Sequence, residues 1–131
     1  MKLLLDTHIL LWALLAPERL NRRTSAELRS PKNEIWLSPI SVWETLILAE
    51  KGKIVLDPDP ALWMRTVLAR LPFHEARLNH EIALCSRSLK LKHQDPADRF
   101  IAATAMVYDL TLVTADKRLA ASTDISVLRN K

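Results

Sequence analysis

Four acidic side chains stand in stretches that a folded chain can bring together. They are Asp6 in LLLDTH, Glu44 in SVWETL, Asp98 in DPADRF and Asp116 in LVTAD. Each also has an ordinary local role. Asp6 follows a strand-like run and can cap a helix starting at Thr7, and Asp116 can do the same for one starting at Lys117. Ser41-Val42-Trp43-Glu44 matches a capping box. In Asp95-Pro96-Ala97-Asp98, Asp95 is ideally placed as the N-cap, with proline at the first helical position and an acid in the first turn.

Neighbours set two of the four apart. On a helix, Glu44 shares its face with Ile40, Ile47 and Leu48, and Asp98 shares its face with Ile101 and Ala102. An ionised carboxylate among such groups is costly unless something compensates its charge. Ser38-Pro39 also offers an earlier helix start, which puts Glu44 beyond the first turn. Four carboxylates gathered on one edge repel one another and call for a cation. An all-oxygen donor set favours Mg²⁺ or Mn²⁺ over zinc or copper. Capping explains the acids one at a time, whereas a metal site explains them together.

The elements that must position these acids read as short apolar strands alternating with longer helices, an α/β pattern with a parallel sheet. Strands are expected at Lys2–Leu5, Glu34–Leu37, Pro72–Ala76, Leu110–Thr114 and Ile125–Leu128. Helices are expected at Thr7–Leu15, Glu18–Arg29, Pro39–Glu50, Pro60–Leu71, Asn79–Leu89, Pro96–Tyr108 and Lys117–Ala121. The helix from Pro96 is apolar almost all round, through Phe100, Ile101, Ala102, Ala103, Ala105 and Met106, so it is expected in the core. In a parallel sheet, strand ends and the following helix starts share one edge, where ligands collect. Asp6, Glu44 and Asp116 fall on that edge directly. Asp98 lies on the helix before the fourth strand, and reaches the edge only if the preceding connection brings it there.

Composition narrows the classes. The 131 residues, 49% hydrophobic and 26% charged, fit a single globular domain over 1–131. One glycine excludes glycine-rich phosphate loops. The single cysteine, Cys85, forms no internal disulfide and no zinc cluster; on the stripe Leu78, Ile82, Cys85, Leu89 it reads as a buried, inert thiol in a reducing cytosolic setting. The apolar start is interrupted by Asp6 and His8, and Ile9 to Pro17 is too short to span a bilayer, so a cytoplasmic protein with no membrane segment is expected. A net charge of +4 suits an anionic partner.

The stretches LLLDTHILLW, SVWETLILAEKGKI, HQDPADRFIAATA and LVTAD, in this order and spacing, resemble a PIN domain, and within that family the VapC-type toxins of toxin–antitoxin pairs. The resemblance runs nearly end to end. It implies a three-layer α/β/α sandwich whose parallel sheet has the order 3-2-1-4-5, and a metal-dependent endoribonuclease activity. Matched by motif, its acidic site falls on Asp6, Glu44, Asp98 and Asp116, and the comparison places Asp98 at the sheet edge. It further implies an RNA substrate, a VapB-type antitoxin partner and a homodimer. With Mg²⁺ held by the acids, a bound water becomes acidic enough to attack the phosphodiester in line.

Around the acids, Thr7, Ser41 and Thr114 supply hydroxyls. Thr114 can bond a carboxylate or a metal-bound water, and a turn or cap role is as good. Arg99 can contact RNA phosphate or pair with an acid. His8 and His93 read as rim residues, since imidazole suits Mg²⁺ poorly. Trp12, Trp36, Trp43 and Trp63 can stack on bases, though their apolar settings favour packing. A haloacid-dehalogenase-like phosphatase needs a second Asp where His8 stands, and a receiver-type switch at Asp57 meets a turn, Asp57-Pro58-Asp59-Pro60. The remaining alternative is a PIN-like RNA-binding or scaffold protein without turnover.

Overall fold

The computed structural model describes residues 1–92 and 94–131. Lys2–Leu5 (β1) is an apolar run with no solvent face beyond Lys2, and it takes the centre of the sheet. Around it pair Glu34–Leu37 (β2), Phe73–Glu75 (β3), Thr111–Thr114 (β4) and Ser126–Arg129 (β5), all parallel, in the order β3-β2-β1-β4-β5. The order and the parallel sense are those the resemblance implies. Strand limits differ from the sequence reading by a residue or so, as frayed ends do.

Alternation along the strands splits the core in two. Leu3, Leu5, Leu37, Val113 and Leu128 face one layer, with Ile9 and Leu10 of Thr7–Leu15 (α1), Val42 and Leu46 of Pro39–Glu50 (α3), and Met64 of Pro60–Arg70 (α4). Leu4 and Leu112 face the other, with Ile82 of His80–Ser88 (α5), and Ile101, Ala102, Ala103 and Ala105 of Pro96–Tyr108 (α6). The result is the three-layer sandwich. The small alanines, all nearly inaccessible to solvent, let α6 lie close against the sheet.

Three expectations need correction. The helix expected over Glu18–Arg29 is a 3₁₀ turn, Pro17–Arg19, followed by a helix at Arg22–Arg29 (α2). The break is tertiary in origin. Asn21 N–H donates to Asn130 Oδ1 at 2.6 Å and Asn130 Nδ2 donates to the Arg19 carbonyl at 3.0 Å, while Asn21 Oδ1 caps α2 through Thr24 N–H. Helix α6 also has a solvent edge after all, at Met106 and Val107. Cys85 is half-buried rather than buried, with Sγ 3.6 Å from Met106 Sδ; desolvation, then the charges of Asp124 and Glu81, push its thiol up. Among the described residues no helix is long and apolar enough to cross a membrane.

Candidate active site

Asp6 leaves the end of β1 and caps α1. Its Oδ1 accepts from Thr7 N–H at 2.8 Å and its Oδ2 from the Thr114 hydroxyl at 2.7 Å. It is only 6% exposed. Burial raises its pKa; the bonds from Thr114 and Thr7 and the nearby His8 oppose that rise, and the charge of Asp116 adds to it. The fold thus holds a carboxylate where its negative charge is poorly solvated.

Glu44 is carried in the second turn of α3, whose cap is Ser38, not Ser41: Ser38 Oγ accepts from Ile40 N–H at 3.0 Å. Ser41 is therefore free of the capping box, and it lies fully buried with Thr7 and Thr114. Thr7 Oγ1 is 2.5 Å from Glu44 Oε1 and 3.0 Å from Ser41 Oγ. A hydroxyl has one proton, and the shorter contact to a carboxylate takes it. Desolvation raises the pKa of Glu44 against the Thr7 bond, and the charges of Asp6 and Asp95 raise it further.

Asp116 follows β4 and caps the short helix Lys117–Ala120 (α7), accepting from Arg118 N–H and Leu119 N–H. Burial alone would raise its pKa, but those bonds, the Arg118 guanidinium at 3.4 Å and its charge hold the carboxyl below the usual range. Thr114 joins the two strand ends: it donates to Asp6 Oδ2 and accepts from Asp116 N–H at 3.0 Å. Helix α6 ends just before β4 begins, so its N terminus must lie at the opposite edge, beside the ends of β1 and β4. Asp98 arrives there for that reason.

These four acids, with Asp95, line one cavity of about 410 Å³, and His8, Trp12, Ala115 and Arg118 complete its wall. A family model of the PIN domain matches residues 3–124. The chain belongs to the PIN domain family. It is 31% identical over 119 residues to Ribonuclease VapC22 of Mycobacterium tuberculosis, with 88% of each chain covered. Among solved structures, VapBC2 from Rickettsia felis bound to a DNA fragment from their promoter is similar with a TM-score of 0.73 at 18% identity, over the full length of both chains. A toxin–antitoxin complex from Klebsiella pneumoniae gives 0.63 at 26% identity, over 95% of this chain and 94% of the other.

In this PIN domain, Asp95 does more than its expected task. It caps α6, accepting from Ala97 N–H at 3.0 Å and Asp98 N–H at 3.5 Å, and it also stands on the cavity wall, where its charge acts on Glu44. The three-residue spacing to Asp98 was the available signal. Arg118 was missed; its only signal was a basic residue two positions after Asp116. Arg99 departs from the expected contact with RNA phosphate. It is 4% exposed, and its guanidinium donates to the carbonyls of Ser86, Leu89 and Leu91 at 2.8, 3.1 and 2.7 Å. Burying that charge requires such partners, and the same burial withdraws it from RNA. His8 lies on the rim, whereas His93 lies outside the described residues. Trp12, Trp36 and Trp63 pack against the core; Trp43 is 54% exposed.

Among the described residues no three His, Cys, Asp or Glu side chains are already gathered closely enough to hold a metal ion. The donor set nonetheless fits Mg²⁺ or Mn²⁺. Mg²⁺ keeps several waters and takes one or two carboxylates together with substrate phosphate, so a ring of carboxylates around an open cavity suits it. Asp6 and Glu44, both pushed upward, are places where a cation would relieve strain.

Proposed function

We propose that this chain is a Mg²⁺- or Mn²⁺-dependent endoribonuclease that hydrolyses RNA phosphodiester bonds in the cytoplasm, as the toxin of a VapBC-type toxin–antitoxin pair. One observation carries the reading: four separate elements deliver Asp6, Glu44, Asp98 and Asp116 to one cavity, with the charge at Asp6 and Glu44 left poorly compensated. The likeness to Ribonuclease VapC22 supports RNA as substrate. The likeness to VapBC2 of Rickettsia felis and to a toxin–antitoxin complex of Klebsiella pneumoniae supports an antitoxin partner; a homodimer belongs to the same proposal and rests on the family resemblance alone.

When bound, the divalent ion makes a water acidic enough to attack and steadies the charge that develops on the phosphate. The chain's own groups do the rest. Asp6, Asp98, Asp116 and Glu44 would supply the oxygens that hold the ion. Thr114 fixes Asp6 through Oδ2 and Thr7 fixes Glu44 through Oε1, so neither carboxylate rotates freely. Glu44, whose carboxyl is pushed upward by desolvation, would be placed in the same cavity to hold a proton.

Purified protein incubated with structured and single-stranded RNAs is expected to cut them in Mg²⁺ or Mn²⁺ and to leave them intact in EDTA. Intact RNA under all three conditions overturns the nuclease reading in favour of an RNA-binding or scaffold PIN domain. Native mass spectrometry of the chain co-expressed with its genomic neighbour is expected to show a complex. A persistently solitary monomer removes the toxin assignment.

A further inference from the structure

Acids alone repel a polyanion, so a cavity walled by five carboxylates needs cations nearby to gather RNA. Two neighbouring cavities supply them. One, of about 370 Å³, shares Glu44 and Asp95 with the acidic cavity and carries Trp43, Lys51 and Lys53. The other, of about 320 Å³, shares Arg118 with it and carries Lys90 and Lys92. They lie to either side, because β2, which leads into α3, and β4, which leads into α7, pair with opposite edges of β1.

Both basic rims come from the same device, a Lys-x-Lys tripeptide whose middle residue is committed to the fold. At the end of α3, Gly52 adopts φ 70°, with its N–H on the Ala49 carbonyl and Lys53 N–H on that of Leu48. This left-handed closure, which glycine adopts without strain, leaves Lys51 and Lys53 exposed. In Lys90-Leu91-Lys92 the leucine is 8% exposed. Buried Arg99 grips the carbonyls of Leu89 and Leu91, and Asp124 Oδ2 takes Lys90 N–H at 3.0 Å, so both lysine side chains face out. Arg99 is the residue next to Asp98, so the lysine strap is tied to the helix that carries a catalytic acid. Beside Glu44 on the other side, the indole of Trp43 stands largely in water, an apolar ring available for a base.

We infer that a single RNA strand crosses all three cavities. Its phosphates meet Lys90, Lys92 and Arg118 on one side of the acids. On the other side a base stacks on Trp43, with Lys51 and Lys53 on the adjoining phosphates. The inference deepens the endoribonuclease reading and rests on it. Stacking is tolerant of sequence, so this track holds the strand and fixes its direction rather than reading bases.

Fluorescence anisotropy with a labelled single-stranded RNA, over a salt series, tests the track. The Asp98→Asn chain keeps the strand uncut, and wild type in EDTA repeats the titration with an unaltered fold. Each lysine pair changed to alanine, Lys51 with Lys53 or Lys90 with Lys92, is expected to reduce the slope of log affinity against log salt by about 1.4, from about 0.7 per phosphate contact. Trp43→Ala is expected to weaken binding about fivefold or more with the slope unchanged, and Trp43→Phe to restore most of it. If both lysine pairs and Trp43→Ala bind RNA as the parent does, the track is wrong even when wild type cuts RNA in Mg²⁺. If the variants behave as expected but wild type never cuts, the track stands and the nuclease reading falls.

Discussion

The ends of β1 and β4 carry the same local device and reach opposite electrostatic states. In each, a strand runs into an aspartate that caps the next helix, Asp6 for α1 and Asp116 for α7. The two share Thr114, which donates to one side chain and accepts from the backbone of the other. Yet Asp6 is pushed above its ordinary pKa and Asp116 is held below it. Asp6 sits at the centre of the sheet, desolvated, with Asp116 and Glu44 near it. Asp116 lies one strand outward, where water and the Arg118 guanidinium reach it. Capping geometry therefore sets where a carboxylate points, and its surroundings set how much it needs a cation.

The largest expected effect separates acids from their caps. On the proposed reading, Asp6→Asn, Glu44→Gln and Asp98→Asn should each lower Mg²⁺-dependent RNA cleavage by about a hundredfold or more, since several kcal/mol of charge stabilisation would depend on the ion they are proposed to hold. Asp95→Asn keeps a good cap and should retain stability, whereas Asp95→Ala should cost about 0.5–2 kcal/mol. Cleavage rates beside denaturant melts check this. Full activity in Asp98→Asn would remove Asp98 from the site.

Thr114→Val sharpens the comparison from the other direction. It removes the hydroxyl from both strand ends while keeping shape, and leaves Asp6 Oδ2 without that donor in a buried place. A loss of about 1–3 kcal/mol is expected, read by urea unfolding. A neutral result would mean that water replaces the hydroxyl.

The third test is pH dependence without metal. Asp6 and Glu44 have raised values in the fold, so the stability they contribute is complete below their ordinary values of 3.8 and 4.5 and is lost as pH rises through the raised ones. Asp116 has a lowered value, so its contribution is present above 3.8 and is lost as pH falls through the lowered one. Melts in EDTA should therefore show the contribution of Asp6 and Glu44 falling as pH rises above the ordinary values of 3.8 and 4.5, and Asp6→Asn should flatten that fall. Mg²⁺ should oppose it, because the ion binds the ionised carboxylates. A wild-type profile unaffected by Asp6→Asn would refute the assignment of strain to β1. The smallest effect belongs to Arg118→Gln. Its side chain is 65% exposed, so losing the pair with Asp116 should cost only about 0.2–1 kcal/mol in the same melts.

Much of this molecule was legible locally. Apolar strand runs, prolines at the starts of α3, α4 and α6, and acids placed as caps gave the elements to within a residue or so, because capping and periodicity are decided by neighbours in the chain. The four acids were legible too, since Glu44 and Asp98 sit among apolar helix neighbours that make an unpaired charge costly. The break before α2 was not legible, because Asn130 makes it from the far end of the sequence. Nor was Arg99, whose burial depends on carbonyls eight to thirteen residues away. The second duty of Asp95, the hydroxyl that Thr114 places between two strand ends, and the opposite pKa shifts of Asp6 and Asp116 were likewise decided only by folding. Solvation and charge at a point in space depend on every element that meets there, and a linear chain records only which residues are available to meet.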